Sequence, residues 1–332
     1  MRVGIRVSVA ALVVALPAAA NAEVLTVEGI YAARDAGAIE VEEITIERFG
    51  GEVGERLAIA LTDRLEGVQI DGERYFTVRA GSGGGDNIYI YGADTPASEV
   101  AAAVEAGPVS ATMRGTASGE VSDYRSGSTK KTRCVKKDEN KNCVEERVDV
   151  YECRTMTVSF SPSLRLIARE GGTLYAADGR HSQSQNYCAN EYSQPSANKM
   201  MDALVDSFAT RVRLDLAPEF RHEDIRVLES RKGLAKQDSK DFKTAVRLTK
   251  NDQLAACIRF EELAGRNPEQ VSAIFNAGLC AERDGRLEEA ADLYRRALAT
   301  GESKDYSEAG LDRVASRLEA ERQLSLRYPP QD

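Results

Sequence analysis

Apolar and polar positions recur with two different periods along this chain, and the changes of period mark its regions. From Ile39 to Ile46 the order Ile-Glu-Val-Glu-Glu-Ile-Thr-Ile is mostly alternating and β-branched, which predicts a strand closed by Phe49-Gly50-Gly51. Val53, Leu57, Leu61 and Leu65 then fall at near-helical spacing and predict a helix over residues 52–65. Tyr75-Phe76-Thr77-Val78 predicts a second strand, followed by a loop at Gly81-Ser82-Gly83-Gly84-Gly85. Pro96 and Ser98-Glu99 suit the first turn of a helix over 95–105. Val109 to Val121 reads as a strand interrupted by Gly115 and Gly119.

The next stretch predicts long strands joined by polar tips. Met156 to Phe160 and Leu164 to Ala168 carry the alternation up to the turn signal Glu170-Gly171-Gly172, and Thr173-Leu174-Tyr175-Ala176 begins a returning strand. Met200, Leu204, Val205, Phe208 and Val212 form a helical stripe within residues 196–214, which stops before Pro218. Residues 23–222 are therefore expected to form an α+β sandwich with antiparallel strands. Residues 223–238 read as a linker, with Arg231-Lys232-Gly233 its flexible part. Beyond it the period is helical throughout. Ser239 suits the cap of a helix carrying Phe242, Val246 and Leu248, and Asn251 the cap of the next, running to about Ala264. A final helix over 306–326 places Leu311, Val314 and Leu318 on one face, and residues 327–332 form a tail.

The first 22 residues are not expected to belong to the fold. Arg2 and Arg6 precede the apolar run Val7 to Leu16, and Pro17-Ala18-Ala19-Ala20-Asn21-Ala22 ends on a small-x-small pattern, the order of a secretory signal peptide. The run is too short for the ~20 apolar residues that span a bilayer. Cleavage is expected after Ala22, with export to a bacterial periplasm. The following residue is Glu23 and not Cys, so lipid attachment there is not expected. Cleavage removes Arg2 and Arg6 and no acid, which takes the formal net charge from −9 to −11. An acidic exported chain has no bulk attraction for nucleic acid or anionic lipid.

Export changes the meaning of the six cysteines, because an oxidising compartment favours disulfides. No Cys-x-x-Cys occurs and the only histidines are His181 and His222, so neither a zinc site nor a redox centre is expected. Cys134 and Cys143 flank a polar tip and are the preferred pair, leaving Cys153 for Cys188; four cysteines allow three connectivities, and the sequence does not exclude the other two.

Residues 237–304 repeat at an offset of 34: Ala256, Phe260 and Leu263 recur as Ala290, Tyr294 and Ala297, and Pro268 falls just before the next unit. Phe275-Asn276-Ala277-Gly278, then Asp284-Gly285-Arg286-Leu287-Glu288-Glu289-Ala290, read as helix, turn and helix. This resembles the tetratricopeptide repeat, in which small residues sit where the helices touch. The resemblance implies an array of two repeats and a terminal helix over 239–326 that holds another protein on its inner face. By position in the repeat, Ser272, Phe275 and Leu279 should point toward that face, with Glu282 and Arg283 at its end. Ala256, Phe260, Ala290 and Tyr294 should hold helices together. Cys257 and Cys280 would lie on neighbouring helices of the stack and suit a third bridge.

The first domain resembles a family of bacterial envelope proteins that includes the curli secretion channel and the outer-membrane activators of penicillin-binding proteins. The likeness rests on the strand ending at Phe49-Gly50-Gly51 with its helix, on Tyr75-Phe76-Thr77-Val78, on Gly115-Thr116-Ala117-Ser118-Gly119-Glu120-Val121, and on Leu164 to Tyr175 with the helix ending at Ala217-Pro218. The sequence departs from the family in lacking a lipidation Cys. Its segment 124–147 is too charged for the lipid-facing alternation of a pore strand.

Sites of chemistry are sparse. The glycine loop lacks the Gly-Lys-Ser/Thr ending of a phosphate cradle. His181-Ser182-Gln183-Ser184 reads as a polar loop without a nucleophile elbow. No catalytic residue, cofactor or metal is expected. Arg125, Lys130, Lys131, Arg133, Lys136 and Lys137 concentrate positive charge, which suits either a solubilising hairpin or a docking patch for an acidic protein or anionic envelope polymer. The expectation is a non-enzymatic periplasmic scaffold for another envelope protein. The alternatives are a chaperone-like accessory factor for outer-membrane export and, less favoured, an enzyme acting on cell-wall polymer.

Overall fold

A computed structural model describes residues 23–81, 109–191 and 194–328. The expected signal peptide, most of the glycine loop and the expected helix over 95–105 lie outside the described residues. The chain divides into two compact units. One joins the residues up to Glu28 with His222–Val314, and the other joins Gly29–Arg221 with Ala315 and the residues after it.

The second of these units is an α+β layer pair. Its strands are β2 (Glu43–Ile46), β5 (Thr77–Ala80), β6 (Ser110–Lys137), β7 (Cys143–Ala168), β8 (Thr173–Asp178) and β9 (His181–Cys188). They run in the order β5-β2-β6-β7-β8, with β9 also paired to β7. Two short strands, β3 (Gln69–Ile70) and β4 (Glu73–Arg74), make a separate hairpin. The sheet is mixed and not wholly antiparallel as expected, because β2 lies parallel to both β5 and β6. Parallel neighbours need a crossover, and helix α1 (Gly54–Glu66) lies in the connection from β2 to β5. Gly51 permits the turn into α1: it sits at φ +86°, and a Cβ there would lie 2.2 Å from the Ala117 carbonyl oxygen.

One sheet face is apolar and covered. Leu57, Leu61 and Leu65 of α1, with Val205, Phe208, Val212 and Leu216 of α2 (Ala197–Leu216), pack on Ile44, Met113, Phe160 and Leu166. Ser196 caps α2 by accepting from the Lys199 amide. The opposite face is polar, as the alternation requires. The expected strand over 39–46 begins only at Glu43. Asp35 accepts from the Gly37 amide and starts a 3-10 turn (Ala36–Ala38), so Ile39 and Val41 reach the core from a turn. Tyr75 and Phe76 precede β5, are buried and meet edge to face at 4.8 Å.

Strands β1 (Val24–Tyr31), β3, β4, β9 and β10 (Glu219–Arg226) went unread in the sequence. β1 pairs with β10, so the expected linker over 223–238 starts as strand. The helices that follow are α3 (Lys236–Leu248), α4 (Gln253–Arg266), α5 (Val271–Arg283), α6 (Leu287–Ala299) and α7 (Lys304–Arg327). Their starts differ from the expected caps. Ala235 and not Ser239 precedes α3, and Asp252 and not Asn251 caps α4 by accepting from the Ala255 amide. Phe242 of α3 meets Phe260 of α4 at 5.6 Å, and Phe275 of α5 meets Tyr294 of α6 at 5.5 Å. The same aromatic contact thus recurs in successive helix pairs. Gly278 lets α6 approach closely, since a Cβ there would come within 2.9 Å of the Tyr294 ring. No helix among the described residues is long and apolar enough to cross a membrane.

At the far end of α7, Arg327 docks on the segments that precede β2 and β5. It donates to the carbonyls of Ile39 at 2.9 Å and Val41 at 2.6 Å and to that of Tyr75, with its guanidinium 3.8 Å above the Tyr75 ring.

Candidate functional site

The residues expected on an open repeat face are not open. Ser272, Phe275, Leu279 and Glu282 are all buried, the last three with no exposed surface. Phe275 lies between the rings of Tyr294 and Tyr306. Glu282 accepts from the Tyr294 hydroxyl at 2.6 Å and from two guanidinium nitrogens of Arg313 at 2.9 and 2.8 Å. Burial and the neighbouring carboxylate both push the Tyr294 hydroxyl well above its ordinary pKa, keeping it a donor. Arg283 is partly exposed and pairs with Asp284 at 3.0 Å.

What covers α5 includes the chain itself. The Asn276 carboxamide accepts from the Leu228 amide at 2.9 Å and donates to the Leu228 carbonyl at 2.8 Å. Gln270 donates to the Ser230 carbonyl at 2.8 Å. Leu228 and Ser230 therefore lie against this helix and its N-cap residue, with the Leu228 N–H and C=O and the Ser230 C=O satisfied by side chains. Position in a repeat says which way a residue points; it does not say what will be waiting there. Ala256, Phe260, Ala290 and Tyr294 are fully buried, the surroundings expected of residues that join helices.

The disulfides fall on Cys134–Cys143, Cys153–Cys188 and Cys257–Cys280. No free cysteine remains. Among the described residues, no three His, Asp, Glu or Cys side chains cluster as metal ligands would.

The largest exposed feature is the β6–β7 hairpin. β2 pairs with β6 only over Ser110–Met113, and β9 pairs with β7 only from Cys153 onward. From Gly127 to Lys137 and from Cys143 to Glu152, the two strands have each other as their only strand partner among the described residues. At ~3.3 Å per residue, this ribbon extends roughly 30 Å. Cys134–Cys143 closes its tip, where Asp138 accepts from the amides of Asn140 and Asn142. The basic run lies on β6 and meets acids on the returning strand: Arg133 pairs with Asp149 at 3.2 Å and Arg125 with Glu152 at 3.8 Å. Two of the six residues of the expected positive patch are thus paired with acids of the partner strand. Val148 and Val150 share one face and are exposed.

At the base of the hairpin, β9 corrects the reading of 181–184 as a loop. His181 pairs across from Phe160, and its ring packs against Phe208. Arg154 donates to Asp123 at 3.2 Å, as does the Tyr187 hydroxyl at 2.8 Å. Glu152 and Asp123 hold the Arg154 pKa above its ordinary value. A further groove of about 740 Å³ runs between α1 and α2, over Ile59 and Ala60. The pairs Arg56–Asp202 and Arg64–Asp206 cross it.

No protein-family model and no curated protein matches the chain. Among solved structures, a dodecamer of a PelC variant from Paraburkholderia phytofirmans is similar at 12% identity over 58% of this chain and 97% of its own, with a TM-score of 0.22. A putative neuraminyllactose-binding hemagglutinin homolog from Helicobacter pylori is similar at 10% identity over 65% and 93%, with a TM-score of 0.25.

Proposed function

We propose that the protein is a non-enzymatic, exported binding factor of the bacterial cell envelope, and that it holds a partner protein through the β6–β7 hairpin. The helices α3–α6 read as two tetratricopeptide-like repeats, with Phe275 and Glu282 of α5 enclosed by Tyr294, Tyr306 and Arg313 of the same chain. They act as a scaffold and not as the docking surface. The observation that carries the reading is the ribbon beyond Gly127 and Cys153, with two unpaired edges and exposed valines. A two-stranded ribbon is marginal alone, and unpaired edges readily accept another strand. Here a disulfide and cross-strand ion pairs keep such a ribbon in place. The signal-like start and the three disulfides support export to the periplasm.

Envelope extract passed over immobilised protein tests the reading. A partner retained by the native chain should be lost when Val148 and Val150 are both changed to Asp, and kept when Phe275→Ala is used instead at a temperature where that variant is folded. An unchanged captured set with the double variant would place the partner elsewhere.

A further inference from the structure

The outer face of the β6–β7–β9 region differs from the rest of this charged surface. In successive cross-strand rows, Tyr124 stands beside Thr155 and Asn186, and Ser122 beside Thr157 and Ser184. Every one of these side chains carries a hydroxyl or a carboxamide, and none is charged. The charge next to them is Glu120 at the margin, which pairs with Arg180 at 3.5 Å. Ser122, Tyr124, Ser184 and Asn186 are exposed, Thr157 is half-buried and Thr155 is buried beneath them. Charged residues make up 29% of the chain, so a neutral field here is not the composition of its average surface.

The field is also held still. The Thr155 hydroxyl donates to the Asn186 carbonyl oxygen at 2.6 Å, and Thr157 and Ser184 share a hydrogen bond of 2.8 Å. The Asn186 N–H groups thereby stay available to a ligand. The Cys153–Cys188 bridge ties β9 to β7 in the next row on the same face. Sideways hydrogen bonds and a disulfide remove rotamer and strand freedom before any ligand arrives, which is how affinity is gained for weak polar contacts. Tyr124 is 55% exposed and offers a ring to the apolar face of a flat ligand.

We propose that this face binds a neutral polysaccharide, a flat ribbon of β-linked pyranose units. Tyr124 stacks on a sugar ring, while the Ser122, Ser184 and Asn186 side chains exchange hydrogen bonds with hydroxyl or acetamido groups. An anionic polymer is disfavoured because the field offers it no cation, and a protein strand would use the hairpin edges and not this face. The inference concerns a different surface from the hairpin tip and does not depend on it.

Co-sedimentation of the purified protein with insoluble chitin and with insoluble cellulose is the test. The native protein should be retained by at least one polymer, and retention should persist in about 0.5 M salt, where exposed charge attraction is screened. Tyr124→Ala and Asn186→Ala should each weaken retention about tenfold. Gln185→Ala, exposed on the other face of β9, should leave it unchanged. Equal melting temperatures among the variants confirm that the surface and not the fold was altered. Failure to bind either polymer, loss of retention in salt, or equal loss with Gln185→Ala would each overturn the proposal.

Discussion

Helix α5 and the tip of the β6–β7 hairpin carry polar residues under opposite conditions. In α5 and at its N-cap, three buried polar side chains have their partners inside: Asn276 with Leu228, Gln270 with Ser230, Glu282 with Tyr294 and Arg313. At the hairpin tip the charges lie in water and pair across two strands. Removing a partner from a dry network leaves the loss uncompensated, whereas water replaces a lost partner at the surface. Identical kinds of bond should therefore have very different energetic weight in the two regions.

The comparison can be broken most sharply at α5. Glu282→Ala takes the carboxylate away from the enclosed Arg313 guanidinium and should cost about 3–5 kcal/mol in denaturant unfolding. Phe275→Ala should cost a similar 3–5 kcal/mol through the cavity it leaves. A loss below about 1 kcal/mol in both would mean that this helix opens to water far more readily than its burial implies. The disulfides offer a matched test. Replacing Cys257 and Cys280 by Ser should cost about 3 kcal/mol of global stability, as a loop of that length suggests. The same change at Cys134 and Cys143 should barely move the melting temperature and should instead speed amide exchange near the tip, because the tip opens without the core. Equal shifts for the two bridges would show that the ribbon unfolds together with the sheet. Asn276→Ala, which strands the amide and carbonyl of Leu228, should cost about 1–3 kcal/mol. The smallest effect belongs to Arg133→Ala, at about 0–1 kcal/mol.

Elements whose burial is one-sided were legible in the sequence. The leucines of α1, the stripe of α2 and the part of β7 from Met156 to Ala168 reveal themselves because one face meets the core. The unread strands lack that signature. β9 runs Ser-Gln-Ser-Gln-Asn-Tyr over 182–187 and has polar groups on both sides, so its strand character comes from the backbone ladder with β7, which no local period reports. β10 places Phe220 in solvent, which spoils its alternation. The cysteines were legible for a different reason: their spacing across a polar tip and across adjacent helices constrains which pairs can meet. The burial of Phe275 and Glu282 was not legible because the side chains that enclose them, Tyr294, Tyr306 and Arg313, come from later helices whose placement no local period reports. The neutral field was visible only once register had aligned three strands.

Arg327 has a consequence for the order of events during synthesis. Its guanidinium closes on carbonyls supplied by Ile39, Val41 and Tyr75, so the sheet unit lacks these contacts until residue 327 has been made. Contacts of such long range form slowly, because the intervening loop must first be closed. A chain threaded through a translocation pore amino end first would pass across before that contact could form. Under the proposed export, Arg327 would then act as a late clasp on segments that crossed before it.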